Sequence, residues 1–212
     1  MITQDANIKE LRKLYRNSGY VSAFVRWRCF HTPYPDLEKL VPKEGRILDL
    51  GCGYGLFPNL LALTSDRRRI TGIDICERKL KYASRGLNNV EFICADASLY
   101  KAADEYGCIT VVHMLHHLTS YDSQAELTRL CRSNLQDKGR LLILEIDTRP
   151  LLKFLFTQLV DNVAYFGDRF YYRKSVDFKS LLEKEGFRDV SIYPAWQDNL
   201  LSHVIISGQK SD

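Results

Sequence analysis

The chain has 212 residues, 45 % of them hydrophobic and 26 % charged. That mix excludes a disordered, collagen-like or disulfide-scaffold protein. The net charge of +4 comes from 30 basic and 26 acidic side chains. So mild a surplus argues against nucleic acid as the partner.

The opening MITQDANIKELRK lacks the apolar stretch of a signal peptide. No run approaches the roughly 18 apolar residues of a membrane span. The six cysteines form no CxxC pair, which argues against a zinc ribbon or a redox dithiol and for reduced thiols in the cytoplasm.

Ile8, Leu11, Leu14 and Tyr15 recur at helical spacing, and Ser18-Gly19 reads as a stop. A second amphipathic helix is predicted from Tyr20 to Cys29, with Val21, Phe24, Val25 and Phe30 on its apolar side. HTPYPDLEKLVPKEG is broken by prolines and reads as a connection. Strands are then predicted at 46–50, 69–74, 89–96, 108–115 and 140–146. Helices are predicted between them at 56–63, 77–84 and 123–135. An amphipathic stretch follows from Leu151 to Phe166, then a helix from Val176 to Glu185 and strands at 190–193 and 203–207. Alternating strands and helices imply an α/β fold, a doubly wound parallel sheet covered on both faces.

Asp49-Leu50-Gly51-Cys52-Gly53-Tyr54-Gly55 joins the first strand to its helix. Glycine at every second position lets the backbone turn tightly or approach a ligand closely. In an open parallel sheet the ligand lies at the carboxyl ends of the strands. A dinucleotide fingerprint needs a third glycine where Leu56 stands, so a nicotinamide-dependent reductase is disfavoured. The P-loop lysine and hydroxyl are also missing. Asp74 ends the second strand, about 20 residues on, where a carboxylate can accept from ribose hydroxyls. Asp96 ends the third strand and suits the amino edge of a purine. Two acids without a phosphate-binding signature suit a positively charged nucleoside.

ILDLGCGYGLFPNLLA, GIDICERKLKYA, VEFICADA and VVHMLHHL together resemble the successive motifs of class I S-adenosylmethionine-dependent methyltransferases. The resemblance runs from Arg46 to Ile146, and the last two strands fit that family's seven-stranded sheet, mostly parallel with an antiparallel last strand. It implies S-adenosylmethionine as cofactor and S-adenosylhomocysteine as product. By position, Asp49 would help hold the methionine amino end, beneath the loop of Gly51, Gly53 and Gly55. Asp74 would bind the ribose, with Ile75 against the adenine. Asp96 and Ala97 would contact the adenine, and His113 and Met114 would face the methionine part. Arg26 and Arg28 are candidates for its carboxylate.

On this reading residues 1–212 form one domain. It has a helical cap at 1–44, a cofactor-binding core at 45–147, a helical lid insertion at 148–174 and the end of the sheet at 175–212. His116 and His117 are the candidate general bases, because a neutral imidazole titrates in the useful range. A metal at His113, His116 and His117 is disfavoured because no acid accompanies them locally, although Glu145 and Asp147 end the fifth strand and could approach. The acids of metal-dependent catechol transfer and the Asn/Asp-Pro-Pro-Tyr signature of nucleic-acid amino methylation are both missing there. Leu151, Leu155, Phe156 and Tyr165 are the candidate acceptor contacts, implying a small apolar or aromatic acceptor. O- and C-methylation both stay open. So do a non-catalytic cofactor-binding role, an RNA methyltransferase, and a membrane-surface contact that no dense basic face supports. The oligomeric state is not encoded in any motif.

Overall fold

The computed structural model describes residues 2–164, 167–195 and 200–211. Among them seven strands form one sheet in the order β3-β2-β1-β4-β5-β7-β6. The strands are β1 (Gly45–Leu50), β2 (Arg68–Asp74), β3 (Val90–Cys94), β4 (Tyr106–Val112), β5 (Leu135–Ile146), β6 (Phe187–Pro194) and β7 (His203–Lys210). β1 pairs in parallel with β2 and β4, while β7 runs antiparallel to both β5 and β6. The chain leaves β1 toward one edge of the sheet and returns to place β4 on its other side. A crevice opens where the order reverses, at the carboxyl ends of β1 and β4.

Side-chain alternation sorts the strands into two cores. Ile47, Cys108, Leu142, Leu144 and Ile205 face α1 (Ile2–Leu14), α2 (Tyr20–His31), α3 (Tyr34–Leu40) and α4 (Leu56–Thr64). α5 (Glu77–Ala83) follows β2 and precedes β3. Leu48, Leu50, Ile109, Val111, Leu141, Ile143, Val204 and Ile206 face α6 (Tyr121–Asn134) and α8 (Ser175–Lys184). The same parity puts Asp49, Thr110 and His203 on the side of the N-terminal helices. Both faces are buried, which accounts for the near-continuous apolar text of β5. All six cysteines are free, and Cys108 and Cys131 are buried among these apolar groups.

Three local expectations are corrected. The proline-rich segment after His31 contains helix α3, because Pro35 sits in the first turn, where its missing N–H costs nothing. β4 stops at Val112 rather than running to Leu115: His113 adopts φ 51°, a left-handed conformation incompatible with a strand, and Leu115–His117 form a single 3₁₀ turn. Phe30, assigned to the apolar side of α2, is 79 % exposed. Among the described residues no helix is long and apolar enough to cross a membrane.

Arg68, at the start of β2, is fully buried. Its guanidinium lies 2.9 Å from Glu38 of α3 and donates to the carbonyls of Pro42, Val41 and Leu61 at 2.7, 3.1 and 3.1 Å. It therefore fastens α3 and α4 to the sheet. Arg68→Met should lower the unfolding free energy by about 3–5 kcal/mol, because Glu38 and several carbonyls lose a buried donor. A denaturant titration showing less than about 1 kcal/mol, the level of a surface pair, would contradict this role.

Candidate active site

The loop after β1 is shaped by positive φ at Gly51 and Gly55, both 72°. A Cβ on Gly51 would come within 2.7 Å of the Met114 side chain, and one on Gly55 within 2.7 Å of Ala83 and 2.8 Å of Phe92. Neither position accepts another residue without displacing its neighbours. Gly53 differs: a Cβ there would meet only Asp74 Oδ2, at 4.0 Å. Its φ of 54° nevertheless strains any side chain there.

Asp74 ends β2 and is 9 % exposed. Its Oδ2 accepts from the Gly53 N–H and its Oδ1 from the Cys76 N–H, both at 2.8 Å. One carboxylate thus ties the glycine loop to the start of α5. Each oxygen keeps a further lone pair for a ligand hydroxyl. Beside it Ile75 is 72 % exposed, an apolar group presented at the rim. Asp96 is also exposed, and its Oδ1 accepts from the Ser98 N–H and hydroxyl at 2.8 and 2.7 Å. Those two bonds hold its carboxyl below the usual range. Ala97 is buried behind it.

Asp49 lies beneath the loop, fully enclosed and hydrogen-bonded to the Thr110 hydroxyl. Burial pushes its carboxyl up to about 7; the negative charge of Asp74 acts in the same direction and Thr110 opposes. A cation placed nearby would favour its ionised form. The donor set suits a nucleoside with a cationic tail: a hydroxyl-accepting acid, an apolar rim, a second acid at the far strand and a buried acid under the turn.

The four histidines beyond β4 and β5 have distinct environments. His116 is buried, with Nδ1 2.6 Å from Glu145 Oε2. Glu145 also accepts from the Leu115 N–H at 2.7 Å and the Ile146 N–H at 3.2 Å. The His116 ring stacks on Tyr172 at 5.5 Å. Burial alone would lower its pKa, but Glu145 overrides that and raises it. The His117 ring lies 4.2 Å from that of His116 and 5.2 Å from Phe170. Burial, helped by His116, brings His117 down to about 4. His113 lies 3.1 Å from the Arg28 guanidinium through Nδ1, and its ring is 4.8 Å from that of His203. Among the described residues no three His, Cys, Asp or Glu side chains converge as metal ligands would.

A cavity of about 40 Å³ opens here, lined by Phe24, Trp27 and Arg28 of α2, His113, Ile146, Leu201, His203, and Thr157, Val160 and Asp161 of α7 (Leu151–Ala164). Of the two arginines singled out in α2, Arg28 reaches it while Arg26 is exposed. Leu151, Leu155 and Phe156 sit on the other side of α7, 64, 49 and 41 % exposed. Tyr165 lies outside the described residues. Sequence reasoning missed His203 and Asp161. The parity of the last strand was the available signal for His203, whereas Asp161 was hidden within a segment read by its apolar stripe.

The His116–Glu145 pair generates a pH dependence. A histidine with a raised folded pKa stabilises fully below its unfolded value of about 6.5, and that contribution disappears as pH rises through the folded value. Glu145, whose pKa is opposed by burial but lowered overall by His116 and backbone N–H groups, loses its contribution at the acid end instead. His116→Gln should therefore cost on the order of 3 kcal/mol at about pH 6 and distinctly less at about pH 9. Urea titrations giving the same loss at both values would show that the imidazolium form does not carry the interaction.

Comparisons with known proteins identify the fold and the family. Residues 26–192 match a family described as a methyltransferase domain. Demethylmenaquinone methyltransferase of Thermotoga maritima is 33 % identical over 102 residues, 48 % of this chain and 43 % of that protein. (S)-Coclaurine N-methyltransferase of Thalictrum flavum is 31 % identical over 91 residues, 40 % of this chain and 25 % of that protein. The matches thus span less than half the length of these curated relatives. The crystal structure of the S-adenosylmethionine-dependent methyltransferase SibL superposes with a TM-score of 0.73 at 23 % identity, covering 91 % of this chain and 58 % of the other. With four-fifths of its length matched and the fold in agreement, the chain belongs to the methyltransferase domain family.

Proposed function

We propose that this chain binds S-adenosylmethionine across the carboxyl ends of β1, β2 and β3 and transfers its methyl group to a small, largely apolar or aromatic acceptor. The observation that carries the reading is the Asp74 carboxylate. It is fixed by the N–H groups of Gly53 and Cys76 at the carboxyl end of β2, beside the glycine loop. In this reading Asp74 receives the ribose hydroxyls, Ile75 and Ala97 flank the adenine, Asp96 takes its amino edge, and Asp49 neutralises the amino end. His113 and Met114 border the methionine part.

The bound cofactor supplies a methyl group already activated as a sulfonium. The chain's own contribution is to hold an acceptor in line and exclude water, which accounts for several kcal/mol of a barrier. We read residues 1–212 as one unit, with 1–44 capping the crevice and 148–174 closing its acceptor side. Thr157, Val160 and Asp161, rather than Leu151, Leu155 and Phe156, present the inner surface of α7. His116 serves to hold the turn after β4, since its Nδ1 and ring face are committed to Glu145 and Tyr172. The relatives named for demethylmenaquinone and (S)-coclaurine support a small-molecule acceptor.

Calorimetry tests the cofactor assignment. S-adenosylmethionine and S-adenosylhomocysteine should both bind, and Asp74→Ala should weaken binding on the order of tenfold or more, the value of about 1.5–3 kcal/mol for a hydrogen bond to a charged group. An unchanged affinity in a folded variant would remove Asp74 from the site. No heat with either compound in the folded wild type would remove the whole reading.

A further inference from the structure

The cavity between α2, α7 and the sheet is apolar in most of its lining but contains a polar cluster that the fold does not satisfy. His113 Nε2 and both ring nitrogens of His203 are buried without a hydrogen-bond partner. Buried donors and acceptors left without a partner are costly. Three in one cavity mark a place where a ligand completes the bonding.

The protonation pattern defines what that ligand must offer. Burial, reinforced by the Arg28 charge, lowers the pKa of both imidazoles, that of His203 to about 3. Both are therefore neutral near pH 7. Arg28 donates to His113 Nδ1, so the His113 proton is on Nε2, a buried donor without a partner on a ring that lines the cavity. His203 adds one donor and one acceptor. Among the described residues no carboxylate forms an ion pair with Arg28. Asp161 also lines the cavity, but its own carboxylate accepts from the Tyr172 hydroxyl at 2.8 Å, and burial raises its pKa. Arg28, His113 and His203 thus offer one fixed positive charge, two or more N–H donors and a single acceptor nitrogen, in a cavity that Phe24, Trp27 and Asp161 also line. A volume of about 40 Å³ accommodates a polar head group rather than a whole acceptor.

We propose that Arg28, His113 and His203 form the subsite for an acidic hydroxyl on an aromatic ring, so that the methyl acceptor is a phenol. The hydroxyl oxygen accepts from His113 Nε2–H; the neutral phenol donates to the acceptor nitrogen of His203, whereas the phenolate, its proton left to solvent, accepts from the His203 N–H, and Arg28 favours that ionised form. The ring lies against Phe24 and Trp27. The proposal rests on the methyltransferase reading for the word acceptor; the subsite itself stands on the three unpartnered nitrogens and on a guanidinium that has no ion pair among the described residues.

The test uses two probes of nearly the same shape, 4-nitrophenol and 4-nitrotoluene, in which a methyl group replaces the hydroxyl, titrated into the wild type with and without S-adenosylhomocysteine. 4-Nitrophenol should bind at least tenfold more tightly. Its visible absorbance should show a larger ionised fraction bound than free at the same pH. His203→Phe should abolish the preference while leaving the melting temperature unchanged or higher, since it removes two unsatisfied nitrogens. A merely structural histidine would not give that combination. Arg28→Met should abolish the shift toward the ionised form, and it provides a second route should His203→Phe fail to fold. Equal binding of the two probes, or a preference surviving in both variants, overturns the proposal and leaves the cavity a water site. Absence of S-adenosylhomocysteine binding with the phenol preference intact overturns the methyltransferase reading and leaves the subsite standing.

Discussion

Two backbone N–H groups from different segments converge on one carboxylate, and the rest of the site is arranged around that convergence. The Gly53 N–H comes from the loop after β1 and the Cys76 N–H from the approach to α5, and Asp74 holds both at 2.8 Å. The Cys52 N–H bonds the Ile73 carbonyl at 2.8 Å immediately beneath. The turn is therefore clamped to β2 through side chain and main chain together. Met114 packs under Gly51, while Ala83 and Phe92 pack under Gly55. Packing fixes the two ends of the loop and the carboxylate fixes its middle. A ligand that needs this path does not have to order it, so its binding free energy is not reduced by that entropy.

The same logic separates what was legible in the sequence from what was not. The glycine loop, Asp74 and Asp96 announce themselves because each sits at a strand end whose position follows from local alternation. The seven strands and the antiparallel last one followed from the same text together with the family resemblance. Helix α3 was hidden because prolines were read as breaks, although Pro35 occupies the one turn of a helix that tolerates it. The pairing of Glu38 with Arg68 was also invisible, since it joins residues far apart in the chain.

The α7 segment shows a different kind of limit. An apolar stripe normally identifies the inner face of a helix, yet here Leu151, Leu152, Leu155, Leu159 and Val163 are outside and Thr157 is buried. Two of the inward groups are polar and meet polar neighbours: Thr157 lies beside Ser202, and Asp161 beside Tyr172. A hydrophobic pattern gives the face that usually meets the core. It does not report which face a particular neighbour selects.

Four histidines within one region carry two kinds of electrostatics, and the sheet decides which is which. Glu145 shares its side of β5 with Leu141 and Ile143, and His116 turns toward it. His203 shares its side of β7 with Ile205, which places it toward Arg28, and burial together with that charge lowers its pKa. One strand residue of difference in parity gives an imidazole a carboxylate partner or deprives it of one. His113 can belong to the second group only because the chain leaves β4 with a positive φ at that residue. The bend is held from below by Glu145, which accepts from the Leu115 N–H two residues later. The charged pair and the unsatisfied pair are thus parts of a single construction: the buried salt bridge fixes the turn that keeps His113 beside His203.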